Sequence, residues 1–173
     1  GFNDEIVEDG DTFEANAIIK AQIVTAYCRN QFPDKSFFVL ADDSGLEVDA
    51  LGGAPGIYTA RFAGVGASDE ENLTKLLDAL VDKENRFAKF VCVLALHTPT
   101  GQLETYRGEI KGVIAQTPRG DQGFGYDPIF APIRQVQGEL NHEKTFAEMD
   151  YEVKKADSHR GRAIQKLAKS KAI

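Results

Sequence analysis

The residues best equipped for chemistry fall in three short strings. Asp42-Asp43-Ser44-Gly45 follows the apolar run Phe37-Phe38-Val39-Leu40-Ala41. Two carboxylates at the end of a buried strand sit where open α/β sheets bind ligands. Such a pair suits a magnesium ion, which takes carboxylate oxygens, waters and substrate phosphates. Phe124-Gly125-Tyr126-Asp127 joins an aromatic ring for stacking, a glycine for close approach and an acid for hydrogen bonding. Ser158-His159-Arg160-Gly161-Arg162 brings three basic side chains to what reads as a helix start. The helix dipole disfavours cations there, so an anion nearby is expected.

Other chemistries fit these residues less well. The loop from Gly120 to Gly125 lacks the G-x-x-x-x-G-K-[ST] pattern of a P-loop. Asp42-Asp43 is not the Asp-x-Asp pair of a phosphatase with an aspartyl nucleophile. No calcium-loop spacing occurs, and nothing near His97, His142 or His159 has the spacing of a zinc site. Taken alone, each string also has a plain reading: Asp-Asp and Ser44 as turn residues, Lys20 as a solvated lysine beside a core stripe.

In order along the chain, the strings resemble the inosine/xanthosine triphosphate pyrophosphatase family, the Ham1-like NTPases. The resemblance rests on Asp42-Asp43-Ser44-Gly45-Leu46, on Leu51 to Tyr58 with Ala60-Arg61-Phe62, on Phe124 to Pro128 and on Ser158 to Ala163. It implies hydrolysis of ITP, dITP and XTP to monophosphate and pyrophosphate, with Mg²⁺ bound. It makes Asp43 the base for the attacking water, with Asp43, Glu8 and Asp42 on the metal side. It puts Lys20 and Ser44 with the substrate, lines a nucleobase pocket with Phe124, Gly125, Tyr126, Asp127, His159 and Arg160, and leaves Lys154 with Lys20 and Arg160 for the triphosphate. Lys155 stands where many relatives carry a neutral polar residue. The family is commonly dimeric, so a homodimer is implied. Its usual opening, a strand ending in Ser/Thr-x-Asn-x-x-Lys, has no counterpart here. Residues 1–173 are therefore expected to be one domain that is incomplete at its N-terminus. The alternative that follows is a nucleotide-binding protein with little turnover.

The elements that must position these residues are legible from pattern. Thr12 caps a predicted helix over 13–30 whose apolar face holds Phe13, Ala17, Ile18, Ala21, Val24 and Cys28. Phe37–Ala41 reads as a strand buried on both faces, ending at the acids. Leu46, Val48 and Ala50 alternate with polar residues as a second, half-exposed strand. Ser68-Asp69-Glu70-Glu71 is a capping box opening a scaffold helix with Leu73, Leu76, Leu77 and Leu80 inward. Phe90–Leu96 is another central strand, and 103–107 with 110–115 suggests an antiparallel pair. Residues 132–144 read as surface loop and Phe146–Met149 as a short helix. Ser158 caps a last helix from His159 to about Lys169, with Ala163, Ile164 and Leu167 inward. The fold class expected is α/β: a mixed central β-sheet flanked by helices, with a nucleotide cleft between two lobes.

Composition agrees. With 173 residues and 42% hydrophobic content, one globular domain is expected. A net charge of −7 argues against a nucleic acid polymer as partner. Cys28 and Cys92 are too few for a disulfide framework. No apolar run reaches the roughly eighteen residues of a membrane span. The first residues are polar rather than leader-like, so a cytoplasmic protein is the expectation.

Overall fold

The computed structural model describes residues 6–136 and 139–170. Helix α1 spans Phe13–Gln31 and strand β1 spans Val39–Val48. Helix α2 covers Asp69–Ala79, and strands β2 (Phe87–His97) and β3 (Leu103–Ile114) follow. Three short strands come next: β4 (Phe130–Pro132), β5 (Arg134–Val136) and β6 (Glu139–Asn141). Helices α3 (Tyr151–Asp157) and α4 (His159–Lys169) close the described chain.

The sheet runs in the order β1-β2-β3-β4. An α/β fold with a central sheet flanked by helices is what forms, but every pairing among the described strands is antiparallel, where a mixed sheet was expected. The tight turn at Thr98–Gln102, closed by hydrogen bonds in both directions, sends β3 straight back along β2.

Side chains on β2 alternate between two cores. Val91, Val93 and Ala95 pack with Phe13, Ala17 and Ala21 of α1. Cys92, Leu94 and Leu96 pack with Ala163 and Leu167 of α4. On that second face lies the largest cluster, in which Leu73, Leu76 and Leu80 of α2 meet Leu46, Phe90, Ile110 and Phe130. Both faces of β2 are thus covered, which explains its unbroken apolar run.

Caps form where the sequence places them. Thr12 accepts from the Ala15 N–H, Ser68 and Glu71 complete a capping box, and Ser158 accepts from the Gly161 N–H. Five expectations change. The apolar run at residue 37 does not end at the acids: β1 continues through Asp42, Asp43, Ser44 and Gly45 to Val48. Nor is that run buried on both faces, since Phe38 and Leu40 are 55% and 50% exposed. The pair of strands at 103–115 is one strand, whose Gly108 marks a helix contact rather than a break. Residues 132–144 carry the β5–β6 hairpin, too short and polar to show a two-residue alternation. Ile164 lies 48% exposed rather than inward.

Candidate functional site

Strand geometry decides what the two acids do. Successive residues of a strand point to opposite faces. Asp43 faces α1, where its Oδ1 accepts from Lys20 Nζ at 2.9 Å. Lys20 also reaches Glu8 Oε2 at 3.2 Å. Asp42 faces α4, where its Oδ2 accepts from Arg160 Nη2 at 2.8 Å and from Ser44 Oγ at 3.2 Å. The expected grouping of Glu8, Asp42 and Asp43 therefore divides: Glu8 and Asp43 come together on Lys20, and Asp42 stands on the far side of the sheet.

The Asp43 cluster is short of positive charge. Burial pushes its carboxyl above the ordinary 3.8, Lys20 pulls the other way, and the charge of Glu8 adds to the upward push. Burial lowers the Lys20 ammonium, but Asp43 and Glu8 outweigh it and hold the lysine above its ordinary value. Among the described residues no three His, Cys, Asp or Glu side chains converge as a metal cage. Magnesium does not need one: it binds through one or two carboxylates and keeps waters and phosphates as its other partners. Two hard oxygen donors sharing one ammonium fit that ion.

One residue here escaped the sequence reading. Asn16 is almost completely buried; its Oδ1 accepts from the Gly10 N–H at 2.9 Å and its Nδ2 donates to Asp43 Oδ2 at 3.4 Å. It ties the segment carrying Glu8 to the helix carrying Lys20. An asparagine inside a helix, next to the core residue Ala17, was the available signal.

On the opposite face a cavity of about 240 Å³ opens beside β1. Whole small-molecule sites usually measure about 300–1,000 Å³, so this one suits a single ring system with the rest of the ligand outside. It gathers Ser44, Phe124, Gly125, Tyr126, Asp127, Lys154, His159 and Arg160 from four separate parts of the chain. Thr59, Ala60, Asp69, Asn72 and Phe90 also line it, and the sequence reading had left them out.

His159 is the centre of that wall. Its ring stacks on Phe90, with centroids 4.8 Å apart and planes 14° apart. Burial, then the charges of Arg160 and Lys154, lower its pKa to about 3, so the imidazole is neutral at pH 7. Among the described residues its Nδ1 is the buried side-chain polar atom without a hydrogen-bond partner. The crowd of cations at the start of α4 is thereby reduced: His159 is neutral, Arg160 pairs with Asp42, and Arg162 pairs with Asp157 at 2.7 Å.

Asp127 organises the Phe124 loop. Its Oδ2 accepts from the Phe124 N–H at 2.9 Å and also from Lys154. Lys154 Nζ lies 5.4 Å from the centre of the Phe124 ring, which is 68% exposed over the cavity mouth. Tyr126 is buried and donates to the Thr59 carbonyl at 3.0 Å. Lys155 stays out of the cavity, with its ammonium over Tyr151.

Gly108 sets the depth at which α4 docks. A Cβ on it would lie 2.1 Å from the His159 carbonyl and 2.4 Å from the Ala163 nitrogen. Only a glycine lets the first turn of α4 reach the sheet.

The comparisons with known proteins agree along the whole chain. The Ham1 family model matches residues 1–170. The dITP/XTP pyrophosphatase of a Sulfurovum species is 47% identical over 167 residues, 95% of this chain and 76% of that protein. That of Bacillus subtilis is 44% identical over 171 residues, 98% of this chain and 79% of that protein. The Staphylococcus aureus Ham1 structure superposes with a TM-score of 0.82 at 42% identity, over 95% of this chain and 79% of that one. A Mycobacterium abscessus dITP/XTP pyrophosphatase structure gives 0.74 at 43% identity, over 96% and 79%. The chain belongs to the Ham1 family.

Proposed function

We propose that this protein hydrolyses non-standard purine nucleoside triphosphates (dITP, XTP and ITP) to the monophosphate and pyrophosphate. The relatives named for dITP/XTP pyrophosphatase activity support the reaction. The observation that carries it here is the two-sided arrangement at β1. A ring-sized cavity lies against Ser44 and Gly45, and the carboxylate of the adjacent Asp43 stands on the other face.

The base enters the cavity under Phe124 and over the wall formed by His159 and Phe90. The Lys154 and Arg160 cations supply the donors that a purine keto oxygen needs, and the neutral His159 ring lines the same wall. An amine at the same position leaves those donors unmatched. The phosphates pass the β1 edge toward Asp43, Glu8 and Lys20. Glu8 and Asp43 would hold Mg²⁺, and Asn16 keeps the Asp43 carboxylate in place. When bound, the ion would supply charge neutralisation for the phosphates. Asp43 accepts a proton from the water that attacks the α-phosphorus. A new P–O bond forms, the bond to the bridging oxygen breaks, and pyrophosphate departs. Lys20 meets the charge that develops on the phosphate oxygens. Asp42 holds Arg160 and Ser44 rather than the metal.

The chain acts as a single domain and works as a homodimer in the cytoplasm, with no nucleic acid polymer as partner. Among the described residues no helix is long and apolar enough to cross a membrane. Nucleotide binding without turnover has no observation of its own in its favour. Steady-state rates with ITP and ATP and Mg²⁺ test the proposal: kcat/KM favours ITP by well over about tenfold, and equal values remove the base-pocket assignment.

A further inference from the structure

Helix α2 reads from sequence as scaffold, yet its first residue touches the cavity. Asp69 Oδ2 accepts from the Gly125 N–H at 2.7 Å, across 56 positions of sequence. Most ties of the Phe124 loop run to its own side of the cavity: Arg119 N–H to the Pro128 carbonyl, Gln122 N–H to the Ala147 carbonyl, and Phe124 N–H to Asp127. Two bonds reach the opposite wall. One is Tyr126 to the Thr59 carbonyl, deep in the structure, and the other is Asp69 to Gly125, at the mouth.

Gly125 holds φ at +58°, a conformation that favours glycine and turns its N–H toward α2. Phe124, one residue earlier, is an exposed aromatic with Lys154 Nζ 5.4 Å from its ring centre. Its backbone is anchored on both sides of the cavity, by Asp127 at its own N–H and by Asp69 at the N–H of Gly125.

We propose that Asp69 is a positioning residue for base recognition, fixing the Phe124–Gly125 backbone across the cavity mouth. This rests on the reading of the cavity as the base site. Asp69 has a competing role as a helix-start acid favoured by the dipole. The two roles separate by substitution, because asparagine keeps an acceptor oxygen and loses the charge.

Inosine monophosphate carries the base without the triphosphate, so its binding to the full chain, measured by calorimetry with Mg²⁺ present, reads the cavity alone. Asp69→Ala weakens binding by about tenfold, the loss expected for a charge-assisted hydrogen bond. Asp69→Asn restores binding to within about threefold. In steady state with ITP, Asp69→Ala raises KM more than it lowers kcat, and melting confirms that both variants are folded. Phe124→Ala is the parallel arm. If it weakens binding and Asp69→Ala does not, the inference about Asp69 is wrong and the base site stands. If neither changes binding, the base-site reading falls and this inference with it. If Asp69→Asn is as weak as Asp69→Ala, the charge and not the loop anchor is what Asp69 contributes, and the inference is overturned.

Discussion

Asp42 and Asp43 are neighbours in sequence and occupy opposite faces of the sheet: Asp42 meets Arg160 at 2.8 Å, and Asp43 meets Lys20 at 2.9 Å. Each has a cation partner, which is how two carboxylates sit inside a strand. The division assigns them different work. Asp43→Asn lowers kcat by about 10²–10⁴-fold, the usual cost of removing a positioned base, and leaves the melting temperature near that of the unsubstituted chain. Asp42→Asn acts through Arg160 and so raises KM more than it lowers kcat. Steady-state kinetics on both variants check this; equal kcat losses would place both acids at the reacting phosphate.

A second expectation concerns pH and stability. His159 has a folded pKa of about 3 against an ordinary 6.5. The folded value is the lower one, so the unfolded chain takes up the proton first. The stability linked to its neutral form is complete above about pH 6.5 and is lost as pH falls toward 3. Within that window the group removes about 1.4 kcal/mol per pH unit. Urea unfolding at pH 7, 5.5 and 4.5 measures the loss, and His159→Gln, which does not titrate, flattens it. An unchanged slope in that variant would show that other groups carry the acid sensitivity.

Much of the fold was legible because its signals are local. Thr12, Ser68 and Ser158 cap their helices, and β2 shows its double burial in an unbroken apolar run. The site was legible as a set of residues, since the strings around Phe124 and His159 do line one cavity. What pattern could not give was which face each residue takes. Placing the end of the strand at Ala41 put both acids in one loop; the strand runs on to Val48 and turns them apart. Asn16 and Asp69 were missed for a related reason. Their importance lies in contacts 27 and 56 positions away, with Asp43 and Gly125, and no local spacing encodes such pairs.

Gly108 provides a packing test. Gly108→Ala puts a methyl group against the backbone of α4, where no side chain can swing aside. The helix must lift, at a cost of about 1–3 kcal/mol. Because α4 carries His159 and Arg160, KM for ITP rises along with the loss in melting temperature. A variant with lower stability and an unchanged KM would mean that the base site tolerates a displaced α4.

The central claim is that water attacks the α-phosphorus and pyrophosphate leaves as a unit. Hydrolysis of ITP in H₂¹⁸O with Mg²⁺, followed by mass spectrometry of the products, tests it most directly. The account requires inosine monophosphate carrying one ¹⁸O and unlabelled pyrophosphate. Label in the pyrophosphate, or release of single phosphate with inosine diphosphate, would contradict it.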